Sequence, residues 1–195
     1  MLSTILMCSF SFIFLSNMPQ PTSTGQLREF TAEHEKNIVR LITSAHAALS
    51  KQPRTHAESL EATVCVSKLA LLRSPNAVKF LVANISFNAR ETEKFVGPLP
   101  TLRTTYPCVY ALGEIGPPAF PDVLRLAESD ERESIHIFCA LVFRRSLGRE
   151  QAIAYLNCHA GSLKNSVEKK RIESVARLVR EGPAYLGSEP DVRNP

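Results

Sequence analysis

Beyond residue 30, apolar side chains return every three or four positions, and prolines and glycines interrupt the runs. That period marks amphipathic helices rather than strands. Thr31 is placed to cap a first helix, with Ile38, Leu41, Ile42, Ala45 and Leu49 on one side and Pro53 ending the run. A second helix is expected over 55–72, with Ala62, Cys65, Val66 and Leu69 in one stripe. Ser74-Pro75 then reads as an N-cap and a first-turn proline for a helix that buries Val78, Leu81, Val82 and Ile85.

The sharpest punctuation is ALGEIGPPAF at 111–120. A helix over 105–115 would align Cys108, Ala111, Leu112 and Ile115, with Pro107 in its first turn, where a missing N–H is tolerated. Gly116 suits a helix-closing residue, and Pro117 disfavours α conformation just before it. Pro121 must lie in the first turn of the next helix, which buries Phe120, Val123, Leu124 and Ala127. The stretch therefore predicts a helix stop, a short corner and a helix start, which together make an αα-hairpin.

The rhythm continues to residue 180. Asp130 is positioned as a cap, with Glu133 three residues on, for a helix burying Ile135, Phe138, Cys139 and Val142. Leu147-Gly148 turns the chain into 149–159, where Ala152, Ile153 and Leu156 face inward. Gly161-Ser162 turns it again into 164–180, with Val167, Ile172, Val175, Ala176 and Val179. The exception is 86–103, SFNARETEKFVGPLPTLR, which shows no helical stripe beyond a turn and reads as an ordered insertion loop. The tail after Gly182-Pro183 reads as disordered.

No such hairpin can bury both its faces alone, so the units are expected to stack into a right-handed solenoid with one continuous core. Residues 106–128, YPCVYALGEIGPPAFPDVLRLAE, resemble a HEAT-like repeat of the short bacterial, lyase-like type. Ala111, Leu112, Gly113, Ile115, Gly116, Ala119, Pro121 and Leu124 carry the resemblance. Residues 131–159 match in periodicity, and 55–85 match more weakly. The resemblance implies an all-α right-handed superhelix of HEAT-like hairpins over 26–181. It also implies a non-catalytic protein–protein interaction scaffold. One branch of the family suggests an alternative, an accessory lyase- or chaperone-like protein acting on a cofactor-bearing partner. A third reading is a nucleic-acid-binding solenoid.

Composition narrows these readings. A hydrophobic content of 44% with 22% charged residues is that of a soluble globular protein, and a net charge of +4 demands neither nucleic acid nor membrane. Residues 125–181 hold 11 basic against 8 acidic side chains, interleaved, which suits a solvated face better than a phosphate-binding stripe. Residues 1–27 carry no charge, and Ile5–Leu15 is an apolar run too short to span a bilayer. Residues 1–25 are therefore expected to be a signal-like segment and linker, exporting the protein to a periplasmic or extracellular space. A true start at Met18 would leave it cytoplasmic.

Candidate chemistry is sparse. Cys65, Cys108 and Cys139 fall on apolar stripes, where cysteine packs as a small hydrophobe. Cys158, His159 and His136 lack metal-ligand spacing, and Glu128, Asp130, Glu131 and Glu133 suit a helix N-terminus. No catalytic motif is found, and no cofactor or metal is expected. Insertions in solenoids tend to sit at the binding face, so Arg90, Lys94, Phe95 and Arg103 are the candidate contacts for a protein partner. The rival role for that loop is to cover the edge of the core.

Overall fold

Helix follows helix in the computed structural model, which describes residues 24–91 and 101–182, with side chains from Thr31 onward. The elements are α1 (Thr24–Leu49), α2 (His56–Leu72), α3 (Val78–Ala83), α4 (Leu102–Thr105) and α5 (Pro107–Ile115). They continue with α6 (Phe120–Ser129), α7 (Glu133–Leu147), α8 (Arg149–Ser162) and α9 (Ser166–Glu181). Short 3₁₀ turns, Pro75–Ala77 and Pro117–Ala119, lead into α3 and α6. The described residues contain no strand, so the class is all-α. The chain divides after His34 into two units. The first shows only helical residues at the start of α1, and the second runs from Glu35 with all the remaining elements. The apolar segment before Thr24, residues 92–100 of the insertion and the tail after Gly182 lie outside the described residues.

Four of the helices end where the backbone takes a positive φ. Arg73 (φ 47°) closes α2, Gly116 (76°) closes α5, Gly148 (75°) closes α7 and Gly182 (73°) closes α9. After each of the first three corners stands an alanine followed by apolar residues at the same spacing. These triplets are Ala77-Val78-Leu81, Ala119-Phe120-Val123 and Ala152-Ile153-Leu156. All three alanines are fully buried, which lets the helix after the corner approach its neighbours closely. Gly148 combines its φ with ψ 172°, a region that a side chain rarely enters, yet an added Cβ would meet nothing within 4 Å. Gly148→Ala therefore isolates backbone strain from crowding. It should cost about 1–3 kcal/mol, read as a lower urea midpoint at unchanged slope.

Contacts run between neighbouring and more distant helices. α2 touches α5, α5 touches α7 and α7 touches α9. α3 leans on α5, α8 leans on α9, and α6 packs against both α7 and α9. This placement corrects the expectation of one-sided stripes. α5 buries Val109 beside the predicted Cys108, Ala111, Leu112 and Ile115. α7 buries His136, Ala140, Leu141 and Phe143 beside Ile135, Phe138, Cys139 and Val142. A helix with neighbours on both sides has no solvated half, so it needs apolar residues nearly all round.

Several local expectations are also revised. Helix α1 begins at Thr24, so Thr31 lies inside it rather than capping it. Asp130 does not cap α7. Its carboxylate takes the backbone N–H of Arg132 at 2.9 Å and the guanidinium of the same residue, and Arg132 itself occupies the cap position. Helix α8 continues through Gly161-Ser162, and Asn165 caps α9 by accepting from Val167 N at 2.9 Å. Val167 is 53% exposed. At about 100° per residue it lies roughly 140° around the helix from Ile172, off the buried stripe.

The flanks of the insertion are built into the core. Ile85, Phe87, Ala89 and Leu102 are buried, and the N–H of Ala89 reaches the carbonyl of Thr105 at 2.9 Å, tying both ends of the segment together. Thr101 and Thr104 cap the single turn α4 reciprocally.

Candidate functional site

Helix α2 is apolar on two sides. One side buries Ala62, Cys65, Val66, Leu69 and Ala70. On the other, Leu60, Val64 and Leu71 are 55%, 44% and 76% exposed, and Ser67 lies between them. Positions 60, 64, 67 and 71 share one helix face at the spacing a second helix packs against. Single exposed apolar residues are ordinary on protein surfaces, but two leucines and a valine aligned on one helix form a stripe.

The stripe runs into a cavity of about 370 Å³. Ser67, Ala70, Leu71 and Arg73 line it from α2 and its corner, Arg103 from α4, and Tyr110 and Glu114 from α5. Ala70 and Gly113 each stand three residues before their corner, and each is small and buried. Arg145 holds the same place before Gly148, and its stem lies on Gly113, where an added Cβ would sit 2.9 Å from Arg145 Cδ. A glycine at 113 is therefore what admits Arg145.

From that position Arg145 Nε and Nη2 donate to Glu114 Oε1 at 3.0 and 2.8 Å. Its guanidinium lies 4.0 Å from the centre of the Tyr110 ring. Arg73 Nη2 donates to the other oxygen, Glu114 Oε2, at 2.9 Å. Arg103 approaches the Tyr110 ring at 5.8 Å. Helices α2, α5 and α7 are thus joined through one carboxylate held by charge-assisted hydrogen bonds. Burial works against ionisation of Glu114, but the hydrogen bonds from Arg145 and Arg73 outweigh it and lower its pKa below 4.5. A depressed carboxyl stabilises the fold above its unfolded pKa, and that contribution is lost as pH falls through the lower folded value. Glu114→Gln should therefore be less stable than wild type at pH 7. The gap should close progressively below about pH 4.5, as followed by urea melts across pH.

Guanidinium groups stay protonated at any physiological pH, and Glu114 is held ionised between two of them. Two arginines hold the Glu114 carboxylate and a third, Arg103, lies over the adjacent Tyr110 ring, so the site is equipped to hold an anionic group rather than to exchange protons.

The sequence-predicted contacts are divided by the structure. Arg103 lines the cavity. Arg90 is half-buried in the loop, its N–H donating to Asn88 Oδ1 at 2.9 Å, and it is not among the lining residues. Lys94 and Phe95 lie outside the described residues. Arg73, Tyr110 and Arg145 were not anticipated, although Arg73 carried a signal as a charged residue at the corner position that glycine fills elsewhere.

The other candidate groups of the sequence are engaged away from the cavity. His136 Nε2 meets the Asp130 carbonyl at 2.8 Å, and His159 Nε2 meets Glu128 Oε1 at 2.5 Å. Neither joins Cys158 in a metal-binding group among the described residues. The Arg132 guanidinium, and then its backbone N–H, hold the Asp130 carboxyl at about 2. Burial pushes the thiols of Cys108 and Cys139 up to about 12, which makes them packing groups rather than nucleophiles. In the basic C-terminal region, Arg171 donates to the Glu128 carbonyl at 2.6 Å and Arg177 pairs with Glu181 at 3.1 Å. No described helix is long and apolar enough to cross a membrane.

No family model, curated protein or solved structure matches this chain.

Proposed function

We propose that this chain is a HEAT-like helical-repeat module that binds a partner protein through the outer face of α2 and the adjoining arginine cavity. The repeat reading is supported by the positive-φ corner shared by α2, α5 and α7, the Ala-apolar-x-x-apolar triplet after it, whose alanine is fully buried, and the series of contacts from α2 through α5 and α7 to α9. The function rests on one observation, an aligned stripe of exposed Leu60, Val64 and Leu71 that opens into a cationic cavity. In a helical-repeat protein each unit covers its neighbour, so an apolar face left open at α2 is where another chain gains most by docking.

Photo-crosslinking residues placed at Ser67 and Arg103 test the reading. The tagged chain is exposed to extract from its own host, and crosslinked peptides are identified by mass spectrometry. A discrete protein partner should crosslink from these positions and not from an exposed site on α9 such as Glu173. Equal yields from both faces, or no protein adduct at all, remove the binding role.

A further inference from the structure

Resting on that reading, we infer that the partner element is an amphipathic helix with an acidic end. Its leucine-like side chains would lie along Leu60, Val64 and Leu71, and a carboxylate would enter the cavity beside Arg73 and Arg103. Three features identify this occupant. The offsets 60, 64, 67 and 71 follow the three-and-four spacing of a helix–helix seam, so a helix interdigitates there better than an extended segment. From Leu60 to Leu71 the stripe is roughly 16 Å long, the rise of three helical turns. At its C-terminal end the same surface turns cationic. Arg73 is 62% exposed while still touching Glu114, and Arg103 is exposed over Tyr110.

Charge selects between classes of helix. Glu114 already accepts from both Arg145 and Arg73, so a second carboxylate in the cavity would meet Arg103 and the outward side of Arg73. A basic helix would instead bring like charge against these guanidiniums, which costs specificity and on-rate. Ser67, in the middle of the stripe, is small enough to admit a bulky apolar side chain from the facing helix. The occupant is thus one acidic amphipathic helix, with apolar residues in the seam and Asp or Glu at the end that meets Leu71.

Fluorescence anisotropy with the purified full chain tests this through three labelled synthetic helices of about 18 residues. One carries leucines at i, i+4, i+7 and i+11 with glutamates at one end. The second replaces the glutamates by lysines, and the third scrambles the leucine positions. The acidic peptide should bind at least about tenfold more tightly than either control, and more weakly as salt rises. Leu71→Ser should weaken it about tenfold and Arg103→Glu about fivefold. Both side chains are exposed, so circular dichroism and the thermal midpoint should not move. Equal binding of all three peptides, no binding of the acidic one, or unchanged affinity in Leu71→Ser overturns the inference. Self-association that sedimentation finds in wild type and not in Leu71→Ser assigns the stripe to a second copy and overturns it too. A host protein that crosslinks at Ser67 in both wild type and Leu71→Ser would retain the binding module while removing this occupant.

Discussion

Phe143→Ala is expected to remove about 3–5 kcal/mol of stability, a large share of what a domain of this size possesses. Phe143 is fully buried on α7. Its ring lies 5.0 Å from Phe120 on α6 and 5.7 Å from Tyr155 on α8, and those two rings are themselves 5.3 Å apart. Truncation opens a cavity among three helices that are also held by their corners, so collapse is restricted and both the transfer and the void terms are felt. Phe143→Leu, which keeps much of the volume, should lose far less. Denaturant melts of the two variants check the ordering, and a loss below about 1 kcal/mol for the alanine variant would refute the role of this aromatic cluster.

Arg145→Ala should cost about 1.5–3 kcal/mol at neutral pH, the range for a hydrogen bond to a charged group. Three contributions coincide there. The two hydrogen bonds to Glu114 Oε1 are lost, the stem no longer covers Gly113, and the Tyr110 ring loses its guanidinium at 4.0 Å. Gly113→Ala should act on the same unit, because its new Cβ displaces the Arg145 stem. A double-mutant cycle separates this from unrelated packing. Once Arg145 is gone, Gly113→Ala should become close to neutral, whereas additive losses would show that the two positions are independent.

Legibility followed the range of the interaction that decides each feature. Corners set by one or two residues could be read directly, since Gly116-Pro117, Leu147-Gly148 and Ser74-Pro75 carry their backbone preference locally. Helix starts were less legible because capping groups compete. Asp130 had a partner in Arg132 only two residues away, and Asn165 prevailed over the earlier Gly161-Ser162. All-round burial of α5 and α7 depends on which helices lie beside them, and periodicity does not report that. The site was the least visible part. Glu114 is 31 residues from Arg145 and 41 from Arg73, and nothing in the intervening sequence marks these residues as partners. Arg103, which lines the cavity, stands out in the sequence because it borders the insertion, whereas Arg73 lies inside a turn.

At position 73 the chain accepts an awkward left-handed arginine where glycine would relax the backbone, and the same residue ties α2 to Glu114. Arg73→Gly should therefore change the melting temperature little, since easing the local geometry and cutting the tether act in opposite directions. Heat stability alone would hardly distinguish the two residues, so the worth of an arginine at this bend is read from the Glu114 tether it makes and not from a melting curve.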